Sequence, residues 1–280
     1  MQKHLSFAAV VMLAVAALAV TPLRGAEPAK PDAKGPATRP ASQHIGGTAD
    51  KAGGTVAGVV RFKGARPATR PITEIAGNAF CKECYKGTEL PVRDDVVIGR
   101  NGNDETLQNV LVYVIKGLEG RTFEPPAAHA VLDQIGCIYT PHVVAVMVGQ
   151  TLDVKNSDPS LHNVMAQPRN NPSFNFGMPV KDGVVERVFK KAELKINTRC
   201  FMHPWMSAYV HVLEHPYFAV TGADGSFEIR GLPPGEYELT VLHESSKLEA
   251  TPATATVKVA AGATAQAEFA YQLRAPDAPK

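Results

Sequence analysis

The chain has 280 residues, 45% of them hydrophobic, with 22 prolines, 23 glycines and only 7% aromatics. That length allows one or two domains with a sizeable core, and the Pro and Gly content favours short strands and turns over long helices. A formal net charge of +2, with no block of basic residues interleaved with aromatics, excludes a nucleic-acid-binding face.

The first predicted element is a leader. MQKH supplies a basic start, and residues 5–20 (LSFAAVVMLAVAALAV) an apolar run that suits a signal peptide and is short for a membrane span. Cleavage is expected near Ala26 or after Ala19, giving an exported protein, periplasmic or secreted, where disulfides persist. No later stretch is long and apolar enough to cross a bilayer. Residues 27–54 are rich in Pro, Ala, Gly and Lys and lack apolar periodicity, so they read as a disordered linker.

Order is expected to begin near Thr55. Strands are predicted over 55–62, 109–115, 130–133, 143–148, 151–156, 184–189, 194–200 and 208–213, most of them separated by turn formers. Short strands at this spacing argue for an all-β sandwich. The pattern over 75–90 allows a short helix or a loop. AQPRNNPSFNFGMP (166–179) reads as a long polar loop, and GNDETL (102–107) and GADGS (222–226) read as turns.

The C-terminal part has its own grammar. Phe227, Ile229, Tyr237, Leu239 and Val241 alternate with polar residues, and tight turns fall at 223–225 and 233–235, as in half-buried hairpin strands. The stretch TGADGSFEIRGLPPGEYELTV resembles the carboxypeptidase regulatory-like, or transthyretin-like, β-sandwich module over residues 216–272. The resemblance implies a structural or adhesive role, with a cell-surface glycan as a possible class of partner.

The four cysteines are Cys81, Cys84, Cys137 and Cys200. Cys81 and Cys84 form a C-x-x-C pair with no following His, which excludes c-type haem attachment. No second pair exists to complete a four-cysteine zinc site, and no βαβ pattern supports a thioredoxin-like motif. A structural disulfide from Cys137 to Cys81 or Cys84 is the preferred reading, and a local Cys81–Cys84 bridge is the alternative.

Cys200, His203 and Met206 fall within CFMHPWM (200–206), and His162 stands upstream in NSDPSLHNV (156–164), at the end of a predicted strand. A thiolate, two imidazoles and a weak axial thioether are the donors of a type 1 copper site, a set that suits both oxidation states. The loop and the HNV triplet resemble the cupredoxin (blue copper) family, in its short-loop, amicyanin-like form, over residues 105–213. The resemblance implies a Greek-key β-sandwich holding one copper through His162, Cys200, His203 and Met206. Asn163 would tie the His162 strand to the Cys200 loop.

Lying mid-loop, His203 is expected nearest to solvent. Pro204, Trp205 and Met202 would ring it as a docking patch for an exported cytochrome c or dehydrogenase. The remaining histidines form no His-x-His pair, and no catalytic triad stands out, so the expectation is an electron-transfer protein, not an enzyme. A copper-binding or delivery protein, and a structural or carbohydrate-binding surface protein, are the alternatives. The expected organisation is a leader (1–26), a linker (27–54), a copper domain with an N-terminal extension (55–215), the module (216–272) and a tail (273–280).

Overall fold

Alternating apolar residues recur along most of the chain, and they build strands. The computed structural model describes residues 53–93 and 95–274. The leader, the linker up to residue 52 and the tail from residue 275 lie outside them. The described residues belong to one compact unit. Among them no helix is long and apolar enough to cross a membrane.

In chain order the strands are β1 (Gly54–Lys63), β2 (Ile98–Asn101), β3 (Asp104–Leu107), β4 (Leu111–Lys116), β5 (Ala130–Ile135), β6 (Ile138–Thr140), β7 (Val143–Met147), β8 (Thr151–Asn156), β9 (His162–Ala166) and β10 (Phe174–Met178). They continue with β11 (Gly183–Val188), β12 (Glu193–Arg199), β13 (Ser207–Leu213), β14 (Phe218–Val220), β15 (Ser226–Leu232), β16 (Gly235–Leu242), β17 (Leu248–Ala250), β18 (Thr254–Val259) and β19 (Thr264–Leu273). Between β1 and β2 lie a short 3₁₀ turn (Thr73–Gly77) and one helix, α1 (Ala79–Cys84). The expected all-β class holds.

The strands form four sheets that enclose two main cores. One sandwich packs the sheet β10-β9-β12-β13-β7 against β11-β8-β5-β6. Its core joins Val144, Val164, Ile196 and Val210 from the first sheet to Leu132, Tyr139, Leu152 and Val154 from the second. The other packs β17-β19-β1-β3-β2, with β15 on β1, against β14-β4-β16-β18. Val60, Ile229 and Phe269 meet Val112, Leu239 and Val257 in its core. β7 is buried on both faces. Val144 and Val146 enter the first core, while Val143, Ala145 and Met147 pack on Leu111, Phe218 and Val220 of the neighbouring sheet. A period of two sends alternate residues to opposite faces, so one strand joins the sandwiches.

The sheets do not divide where the sequence suggested, at residues 215 and 216. β1 runs parallel to β19, with Thr55 opposite Thr264 and Lys63 opposite Gln272. β4 pairs with both β14 and β16. The N-terminal strands thus complete the C-terminal sandwich, and β5–β13 are inserted between β4 and β14. Alternation tells which residues face a core but not which strand lies alongside. Gly58 permits the close approach of β1 to β19, because a Cβ there would lie 1.7 Å from the Ala267 carbonyl oxygen.

Two further expectations change. The stretch 166–179 is not all loop: β10 pairs with β9, setting Met178 opposite His162. GNDETL is a turn only at its start, since Asp104–Leu107 is β3. In both places turn formers hide a short alternating strand, Phe174-x-Phe176 in the first. The Arg187 guanidinium covers that ring pair, 4.3 Å from the Phe176 centroid, a contact that sequence periodicity does not encode.

Candidate metal centre

One pole of the inserted sandwich gathers four segments. The β8–β9 connection brings Asp158 and His162. The β12–β13 loop brings Cys200 to Met206, the β5–β6 turn brings Cys137, and the start of α1 brings Asn78 and Cys81. His162 lies at the start of β9, not at the end of the preceding strand as the sequence suggested.

The β12–β13 loop is closed on itself. Met206 N–H donates to the His203 carbonyl at 2.8 Å, and Cys200 N–H donates to the Met206 carbonyl at 3.2 Å. This folds Cys200 and His203 back toward β9. His162 Nδ1 lies 3.0 Å from His203 Nδ1, and Cys200 Sγ lies 3.7 Å from His203 Nδ1. One ligand atom from each of the three residues lies within 4.8 Å of the others, and all three residues are buried. Met206 is buried in the same core.

Neighbours fix each donor. Asp158 accepts from Gly136 N–H and Cys137 N–H, both at 2.8 Å. Those two residues form the β5–β6 turn with φ of 64° and 57°. Such a pair of positive φ angles is a type I′ hairpin signature, and at Cys137 it is unusual for a residue with a side chain. The same carboxylate meets His162 Nε2 at 2.8 Å. A carboxylate accepts, so Nε2 carries the hydrogen and Nδ1 is turned to the other donors.

His203 Nε2 faces Asn78 Nδ2 at 3.3 Å. The Asn78 amide is oriented by its other end, because its Oδ1 accepts Cys81 N–H and caps α1. Asn78 therefore donates, and His203 Nε2 accepts. The facing Nδ1 atoms of His162 and His203 then hold one hydrogen between them; for both to bind a metal, that hydrogen would move to His203 Nε2 and the Asn78 amide would turn away from it.

The thiol is prepared in the same way. Burial pushes Cys200 up, but hydrogen bonds from His162, His203 and the Asn163 N–H outweigh it and bring the pKa down to about 6. The Asn163 N–H donates to Sγ at 3.3 Å. A thiolate, the form that binds metals, therefore prevails at neutral pH. For His162, burial opposes the charged form, while Asp158 and Cys200 favour it and raise its pKa. Asn163 also joins the two strands through its side chain. Its Oδ1 accepts Phe201 N–H at 3.3 Å, and its Nδ2 donates to the Phe176 carbonyl at 3.1 Å.

His203 is buried, with an exposure of only 2%, and so are the other three expected ligands, so none of them reaches solvent. Asn78 covers the Nε2 edge of His203, and the Trp205 ring lies against it with centroids 5.1 Å apart. Trp205 is itself tied down, donating from Nε1 to the Cys137 carbonyl at 2.9 Å. The expected ring of apolar residues is therefore split. Met202 (53% exposed) and Pro204 face solvent, together with Phe201 (62%), while Trp205 is half-buried.

Cys81 and Cys137 form a disulfide, one of the pairings the sequence left open, and Cys84 and Cys200 are free. The bond carries α1 onto the β5–β6 turn. Tyr85 adds a second tie by donating to the Gly136 carbonyl at 2.7 Å. The sequence did not reveal Asp158 or Asn78 as parts of the site. Asp158 stands four residues before His162 in NSDPSLHNV, a usable signal only once both are known to face the same turn. Asn78 has no such signal, because its partner lies 125 residues away.

No family model and no curated protein matches the chain. Several solved structures do. A purple cupredoxin from Nitrosopumilus maritimus is 23% identical over 30% of this chain and 98% of its own, with a TM-score of 0.26. An amicyanin variant in its Cu(I) state is 23% identical over 30% of this chain and 81% of its own, with a TM-score of 0.27. A copper-containing nitrite reductase from Thermus scotoductus SA-01 is 20% identical over 35% of this chain but only 25% of its own, with a TM-score of 0.28. At these scores no inference about the site rests on the likeness. The side chains alone carry it. Two neutral-nitrogen donors and a thiolate suit a first-row ion of borderline to soft character, and their convergence, with the His162 Nε2 hydrogen already held by Asp158, fits such an ion.

Proposed function

We propose that the chain is an exported type 1 copper protein that holds one copper ion through His162, His203 and Cys200, with Met206 as the axial ligand. The observation that carries this reading is the convergence of two Nδ1 atoms and one thiolate in a buried pocket. When bound, copper supplies a one-electron couple whose ligand set suits both oxidation states.

The protein's own part is to keep that set still. Asp158 holds the hydrogen on His162 Nε2, Asn163 anchors the Cys200 loop, and the closed turn from Cys200 to Met206 fixes the spacing. Burial excludes water from His162 and Cys200. Because the His203 edge is covered, electrons would pass on the side where Phe201, Met202 and Pro204 reach solvent. An exported cytochrome c or dehydrogenase is the class of partner that such a small apolar patch suits.

The covered His203 edge favours a second reading, in which copper is kept or delivered and does not cycle. Voltammetry of the copper-loaded full chain separates them. An electron carrier gives a reversible one-electron wave with unchanged copper content after repeated cycling. A keeper or deliverer gives no reversible wave, or loses copper on reduction.

A further inference from the structure

The disulfide beside the centre has donors of its own. Cys81, Cys137 and His203 present ligand atoms within 4.8 Å of one another, and so do Cys137, Asp158 and His162. Both groups share residues with the His162–Cys200–His203 cluster. Cys81 and Cys137 are fully buried. Three donors, each about 2.0–2.3 Å from one ion, lie about 3.5–4 Å apart, so little movement is needed once the sulfurs separate.

We propose that the Cys81–Cys137 disulfide is a masked second metal site, which on reduction takes one Cu(I) ion through the two freed thiolates and His203. The reductant is an external dithiol. Its two sulfurs form a new disulfide, the Cys81–Cys137 bond breaks, and the two electrons and two protons it gives leave a pair of thiols. Each thiol then loses its proton as the ion binds, and His203, which keeps one ring nitrogen for the first site, gives up its remaining N–H so that the other nitrogen is free to bind. Two thiolates and an imidazole form a softer set than the first site and favour Cu(I). The proposal shares only the His203 ring with the reading above.

Cys84 does not unmask the site by itself. It lies three residues along α1 from Cys81, and burial, aided by the Asp158 charge, pushes its thiol up to about 11. At neutral pH it is a thiol, and the thiolate is the attacking species. The disulfide therefore stands until the dithiol acts.

The test is anaerobic titration of the full chain with Cu(I) against a chromophoric Cu(I) chelator, before and after phosphine reduction and desalting. The expected count is one tightly held Cu(I) per chain before reduction and two after. Cys84→Ser still gains the second ion, whereas the Cys81→Ser/Cys137→Ser double variant does not. In Cys200→Ser, where the first site is lost, reduction raises the count from none to one, so this site is scored even if the first reading fails. Equal counts before and after reduction overturn the proposal. So do a second ion that survives the double variant, a gain that disappears in Cys84→Ser, or a reduced chain that loses its β-sheet circular dichroism.

Discussion

Cys200→Ser abolishes the intense thiolate-to-copper absorption of the loaded protein and weakens copper binding by more than the ~10–100-fold that loss of an outer-shell partner costs. Sulfur is the only anionic donor among the three converging residues, and a serine hydroxyl does not ionise at neutral pH as this thiol does. The substitution changes one buried atom in a loop held by backbone bonds from Cys200 to Met206 and from Met206 to His203. The fold is therefore expected to survive, and the loss reads as loss of a ligand. Visible absorption with a parallel chelator competition checks it. A variant that stays intensely coloured shows that Cys200 is not the ligand.

Asp158→Asn lowers copper affinity by about 10–100-fold while His162, Cys200 and His203 all remain. The carboxylate accepts three hydrogens, from Gly136 N, Cys137 N and His162 Nε2. An amide has one oxygen to accept and an NH₂ that only donates. If the oxygen keeps the Gly136 N–H, the NH₂ faces both Cys137 N–H and His162 Nε2, and the histidine must then give up its hydrogen. The hydrogen moves to Nδ1 and blocks the position a metal needs. If instead the oxygen takes the place that meets His162, it keeps Cys137 N–H as well, and only the Gly136 N–H loses its partner, at a cost of about 1–3 kcal/mol. Chelator competition and thermal denaturation separate these outcomes. Affinity and stability both equal to those of the parent chain would remove Asp158 from the account.

The two expectations differ in how far the sequence foretold them. Cys200, His203 and Met206 were legible because one short loop carries them at a spacing that chemistry recognises. His162 was legible because it stands next to Asn163 in a recognisable triplet. Their partners were not. Asp158 acts through a turn that belongs to another hairpin, and Asn78 acts across a long separation. Both depend on where folding places a loop, and local patterning is silent on that.

The same limit shaped the fold. The strands of the C-terminal half were visible as alternating runs, and the class followed from them. Pairing of β1 with β19 was not visible, because Val56, Val60 and Phe62 would alternate in the same way against any buried face. The segment between β1 and β4 supplies the lid of the site through Asn78, Cys81 and Tyr85. A mid-loop position suggested that His203 is the ligand nearest to solvent; the ring is nevertheless buried, because Asn78 from a remote segment covers its Nε2 edge.

The most direct test of the central claim is X-ray absorption at the copper edge of the full chain loaded with one equivalent of copper. The account predicts a first shell with one short sulfur and two imidazole nitrogens, the sulfur disappearing in Cys200→Ser. A shell of nitrogen and oxygen alone would contradict it.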